Sequence, residues 1–213
     1  MHVLHQHRIR NGMLAGTMAV AIGLVGGTAA AQASDCVVSA GVTQTPTVVT
    51  GTSGNDTIAC GGQNPGKTIN GLTGDDTVTG TDFVDMINGG AGTDTLTGVI
   101  GNDIMSGGIG NDTLTGSAGD DRMAGGGGND TVTGSEGIDT LTGDAGGDTL
   151  NGGDGNDSLN GGTGADIING DAGNDNLFGP ANDLAVDRLN GGTGTDTCQS
   201  GGLLFRDILT SCP

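Results

Sequence analysis

Residues Gly107 to Thr115 read GGIGNDTLT, Gly125 to Thr133 read GGGGNDTVT and Gly152 to Asn160 read GGDGNDSLN. They are three of twelve consecutive nonapeptides that run from Gly71 to Phe178 without an insertion. Position 1 is Gly and position 6 is Asp in all twelve; position 4 is Gly in all but one, where Phe83 stands, and position 8 is always Val, Ile, Leu or Met. An acidic linker has no reason to hold its Asp in phase, so this spacing marks a structural repeat.

Each nonapeptide divides into six residues of turn chemistry and three that can form a strand. In a three-residue strand the middle side chain faces one way and its neighbours the other, so position 8 points inward and positions 7 and 9 outward. Two nonapeptides make one 18-residue coil, and successive coils stack at roughly 4.8 Å. The expected core is two columns. One is Val78, Leu96, Leu114, Val132, Leu150 and Ile168; the other is Ile87, Met105, Met123, Leu141, Leu159 and Leu177. The same stacking aligns the position-6 carboxylates along two edges, where charges roughly 5 Å apart repel by about 0.8 kcal/mol even at the dielectric of water. A cation must therefore occupy the ladders.

Composition narrows the chemistry. Of 213 residues, 47 are Gly, 3 are Phe and none is Trp or Tyr, which excludes a conventional globular core. A net charge of −19 excludes a basic nucleic-acid face and favours cations as partners. The only histidines are His2, His5 and His7, so the array has no Ser-His-Asp triad and no zinc site built on His. GxSxG and P-loop motifs are missing as well, and no enzymatic activity is expected. The single Glu, Glu136, does not close an EF-hand loop, because that loop would begin at Gly125.

Residues 1–33 read as a signal peptide: Arg8 and Arg10 precede the apolar run Met13 to Val25, and Ala31-Gln32-Ala33 has the form of a cleavage site. The mature chain then starts at Ser34, outside the cell, with four basic against 25 acidic residues and no membrane-inserted segment. The expected organisation is a signal peptide (1–33), an N-terminal cap or linker (34–50), the repeat domain (51–199) and a C-terminal cap (200–213).

The pattern GGxGxDxUx, with U a large apolar residue, resembles the RTX or haemolysin-type calcium-binding repeat. The resemblance extends from Gly51 (GTSGNDTIA) to Gln199 (GGTGTDTCQ). It implies an all-β, right-handed parallel β-roll solenoid of 18-residue coils. It also implies calcium ions between the turns of adjacent coils, held by turn carbonyls and position-6 carboxylates. Those carboxylates are Asp56, Asp76, Asp85, Asp94, Asp103, Asp112, Asp121, Asp130, Asp139, Asp148, Asp157, Asp166, Asp175 and Asp196. Calcium suits such sites, since it takes six to eight hard oxygen ligands, carbonyls included. Cys60 to Asn70 lacks Asp and Gly179 to Asn190 carries three extra residues, so these coils are poor candidates for calcium sites. If position 2 requires a backbone that Gly favours, the edge with Leu72, Gly90, Gly108, Gly126, Asp144 and Gly162 should bind more tightly than the edge with Thr81, Val99, Ser117, Ser135, Gly153 and Asp171. Folding should be linked to calcium at the roughly 10⁻⁴ to 10⁻³ M typical of extracellular modules.

Four cysteines flank the uninterrupted array. An even number in an exported chain favours disulfide-stapled ends, most simply Cys36 with Cys60 and Cys198 with Cys212, although three connectivities exist. Leu203, Leu204, Phe205, Ile208 and Leu209 could fold over the C-terminal end. The expected role is that of an extracellular structural, calcium-binding module. An alternative is ice binding or adhesion through the Thr-x-Thr face of Thr77/Thr79, Thr95/Thr97, Thr113/Thr115 and Thr131/Thr133. A further alternative is an accessory module of an RTX toxin or hydrolase.

Overall fold

The computed structural model describes residues 36–61, 65–180, 185–200 and 207–212. The signal-peptide reading of residues 1–33, and Leu203, Leu204 and Phe205 of the cap, lie outside them. Alternate nonapeptides feed two sheets, each of ten strands among the described residues, and no helix forms there. Thr113–Ala118 lies parallel between Thr95–Ile100 and Thr131–Glu136 in one sheet. Arg122–Gly127 lies parallel between Ile104–Ile109 and Thr140–Ala145 in the other. Partners are 18 residues apart, as the two-nonapeptide coil requires.

The strands exceed the three residues expected. Thr113–Ala118 continues from position 9 into positions 1 to 3 of the next nonapeptide, and its pairing passes from Thr115 directly to Ser117. The skipped residue, Gly116, is buried. Position 1 thus prolongs the inward alternation without a side chain, so the chain bends into the turn while the backbone ladder carries on.

The two inner columns are those read from position 8, and every member is at most 2% exposed. Val49, Ile58 and Ile69 extend them toward the N-terminus and Leu189 toward the C-terminus. One buried apolar side chain per nonapeptide remains a thin core. Stability must also come from the ladders and from whatever neutralises the Asp residues.

Both ends depart from the regular roll. Val48–Thr50 already pairs parallel with Thr68–Thr73, so the roll begins before Gly51. Val37–Val38 and Thr43–Gln44 add antiparallel to the first strands and cover the N-terminal edges. Disulfides join Cys36 to Cys60 and Cys198 to Cys212, with Cα separations of 4.1 Å and 5.9 Å. Ile208 and Leu209 do not fold over the C-terminal end. Ile208–Thr210 instead pairs parallel with Arg188–Asn190, which satisfies one edge of the last coil and leaves both side chains nearly half exposed.

Outside the first sheet, Thr57, Thr77, Thr95, Thr113, Thr131 and Thr149 stand opposite one another in sequence. The second file reads Ala59, Thr79, Thr97, Thr115, Thr133 and Asn151.

Candidate metal centre

The turn leads each position-6 side chain back beneath the sheet edge, and all fourteen candidate Asp residues are buried, at most 4% exposed. From Asp76 onward, stacking gives each carboxylate the backbone N–H of the position-6 residue one coil before it. The backbone N–H of Asp94 donates to Asp112 Oδ1 at 2.8 Å, that of Asp112 to Asp130 Oδ1 at 2.8 Å, and that of Asp130 to Asp148 Oδ1 at 2.8 Å. On the opposite edge Asp103 donates to Asp121 and Asp121 to Asp139, both at 2.7 Å. The expected ladders therefore exist, and they lie inside the turns rather than on their surface.

The second oxygen is the informative one. Oδ2 of Asp76, Asp94, Asp103, Asp112, Asp121, Asp130, Asp139, Asp148, Asp157, Asp175 and Asp196 is buried without a hydrogen-bond partner. A buried carboxylate oxygen left in this way is costly unless something charged or donating meets it. Its surroundings are made by position 1. A Cβ on Gly107 would lie 2.4 Å from Asp112 Oδ2 and 2.6 Å from the Gly125 carbonyl oxygen of the next coil. Gly at this position thus keeps open a cradle lined by one carboxylate oxygen and backbone carbonyls.

The charge is poorly placed without a counterion. Burial pushes Asp121 up to about 7, with the Asp103 N–H bond offsetting part of the rise and the carboxylates of Asp103, Asp139 and Asp120 adding to it. Asp103, Asp112, Asp148 and Asp157 are raised to about 6, again chiefly by burial. A carboxyl raised in this way binds more protons folded than unfolded between the two values. Its stabilising contribution is present below about pH 4 and lost as pH rises through about 6 to 7.

Position 2 shows why the turns are costly to form. It adopts positive φ even where it is not Gly: Leu72 at 87°, Val99 at 100°, Ser117 at 87°, Ser135 at 90°, Asp144 at 72° and Asp171 at 71°. The Gly at this position in the other turns, such as Gly108 at 116°, share the conformation. Thr52 and Thr81 apart, both edges therefore use one backbone geometry, and the edge with Val99, Ser117 and Ser135 carries more of its strain, about 1–2 kcal/mol per residue.

A family model for the RTX calcium-binding nonapeptide repeat (4 copies) matches residues 70–105, 97–132, 106–141, 133–168 and 151–179. Together these matches span residues 70–179, just over half of the chain. The chain belongs to the RTX calcium-binding repeat family. No curated protein matches it. RTX repeats make it a calcium-binding β-roll module, and the donor set suits that ion. The cradles offer hard oxygens only; His is missing from the array and all four cysteines are in disulfides. Among the described residues no three His, Cys, Asp or Glu side chains converge.

Several participants are not apparent from the motif alone. The Asp166 N–H donates to Asp187 Oδ1 at 3.0 Å, which puts Asp187 at position 6 of the irregular coil, 21 residues on instead of 18. The three extra residues obscure this register, although Asp187-Arg-Leu-Asn190 repeats positions 6 to 9. Lys67 fills position 6 of the other irregular coil, buried, with its N–H on Asp85 Oδ1 and its Nζ on the Pro46 carbonyl. A second ladder runs through position 5: Asn111 Oδ1 accepts the Asn129 N–H at 2.7 Å, and Asn129 Oδ1 accepts the Gly147 N–H at 2.7 Å. The recurrence of Asn or Asp at position 5 is the signal that could have revealed it.

Proposed function

We propose that the chain is an exported structural protein whose roll folds outside the cell when calcium neutralises its turn carboxylates. Asp76, Asp94 and the regular position-6 residues through Asp196 would hold the ions together with turn carbonyls. The observation that carries this reading is the run of buried Oδ2 atoms without a hydrogen-bond partner among the described residues. When bound, calcium supplies positive charge to both oxygens and carbonyls of the cradle. The chain's own residues supply the shape: Gly at position 1 leaves the space, position 2 turns the backbone, and the Oδ1 bonds fix each carboxylate.

Asp112→Asn tests this directly. It preserves side-chain shape and an acceptor for the Asp94 N–H while removing one buried charge. Expected are fewer calcium ions bound per chain by titration calorimetry and, in calcium-free buffer at neutral pH, a more folded chain than the wild type. Unchanged calcium stoichiometry would overturn the assignment.

Export rests on the residue pattern of positions 1–33. The mass of the protein recovered from the medium is expected to correspond to a chain beginning at Ser34; a product retained in the cell with those residues intact would contradict it. The in-register Thr files support a second reading, in which this face adheres to an ordered surface such as ice. Thr113→Lys should then abolish inhibition of ice recrystallisation, and a wild type without that inhibition disposes of the ice-binding form.

A further inference from the structure

Two of the candidate turns differ from all the others. At Asp56, Oδ2 accepts the Thr52 N–H at 2.6 Å and the Thr52 hydroxyl at 3.0 Å, while Ser39 Oγ donates to Oδ1 at 2.7 Å. At Asp85, Oδ2 accepts the Thr81 N–H at 2.6 Å and the Thr81 hydroxyl at 3.1 Å. These oxygens are satisfied by the protein itself, in contrast to the eight from Asp94 to Asp157.

Both turns carry threonine at position 2. Thr52 and Thr81 do not take the positive φ found at position 2 of the regular turns, so their N–H groups swing onto the carboxylate. Neither half of the threonine side chain is sufficient alone. Val99 has the β-branch without the hydroxyl, Ser117 and Ser135 have the hydroxyl without the branch, and all three remain at positive φ. Threonine combines a branch that disfavours the left-handed backbone with a hydroxyl that rewards the alternative by bonding Oδ2.

We infer that threonine at position 2 closes a turn in place of calcium, so that Asp56 and Asp85 lie outside the calcium sites and the N-terminal end of the roll is organised without metal. The inference rests on the calcium reading given above. Lys67 supports it independently, because a buried ammonium side chain occupies the position-6 slot of the same coil. Of the first four position-6 residues, Asp56, Lys67, Asp76 and Asp85, only Asp76 leaves its Oδ2 without a partner. The Cys36–Cys60 disulfide closes the same region covalently.

The test is calcium stoichiometry by native mass spectrometry and titration calorimetry on the full exported chain and two single-atom-scale variants. Thr81→Ser keeps the hydroxyl, loses the branch and is expected to bind one ion more than the wild type. Ser117→Thr adds the branch and is expected to bind one fewer. Equal stoichiometry in all three chains overturns the inference while leaving the calcium reading intact; a wild type that binds no calcium overturns both. Hydrogen exchange in calcium-free buffer decides the matter even if a variant fails to fold. Protection should persist in the strands from Val37 to Thr73 and vanish beyond Asp94, and uniform loss of protection contradicts a metal-independent N-terminal end.

Discussion

Replacing Gly110 by Ala is expected to cost the calcium-loaded roll about 3–5 kcal/mol, a loss at the upper end of single substitutions. Gly110 stands at position 4 with φ +142°, a conformation that disfavours any Cβ, and its added Cβ would lie 1.7 Å from the Gly92 carbonyl oxygen of the preceding coil. Neither partner can yield easily. The Gly92 N–H donates to the Ile109 carbonyl at 2.8 Å and the Gly110 N–H to the Gly127 carbonyl at 2.7 Å, so relieving the overlap means prising coils apart and giving up ladder bonds worth about 1 kcal/mol each. Gly127 supplies the control. A Cβ there meets nothing within 4 Å and φ is not positive, so Gly127→Ala should be neutral or stabilising by about 0.4–1 kcal/mol through the unfolded chain. Urea midpoints in saturating calcium separate the two variants, and equal midpoints would contradict the stacking described here.

The fold was largely legible because its two determinants are periodic. Position 8 is apolar in every nonapeptide and occupies the inner columns, from Val78 to Ile168 and from Ile87 to Leu177. Strand length was not legible. Gly116 and its equivalents look like turn residues by composition, yet they continue the inward alternation, and backbone pairing at Ser117 depends on the neighbouring coils rather than on local preference. The end structures were hidden for a related reason. Val48–Thr50 and Ile208–Thr210 carry no repeat motif and join the sheets only because a terminal coil exposes unpaired backbone groups.

For the candidate site, the Asp periodicity located the ladders but not their interior placement, which follows from how the turn returns the chain beneath the sheet edge. Nor could spacing distinguish Asp85 from Asp103. Both sit at position 6, but the turns differ at position 2, where Thr81 bonds Oδ2 and Val99 stands at φ 100°, and at position 4, where Phe83 replaces the Gly that Gly101 supplies. Asp187 was not legible because a fixed period fails at the first insertion, whereas the stacked coil regains its register at Asp187 and Leu189.

Calcium removal is the second large effect. Buried carboxylates raised to about 6 and 7 oppose the folded state at neutral pH, and one apolar side chain per nonapeptide leaves little to set against them. Protonation relieves the same conflict, so acidification from about pH 7 to about pH 4 should partly restore strand structure without metal. The decisive measurement is far-ultraviolet circular dichroism of the chain in calcium-free buffer at neutral pH, titrated with calcium and, separately, with magnesium. The chain should lose most of its strand signal without calcium and regain it cooperatively with calcium alone, near the roughly millimolar concentrations of extracellular modules. A full strand signal at neutral pH in excess chelator would contradict the claim that the turn carboxylates require the ion in order to fold.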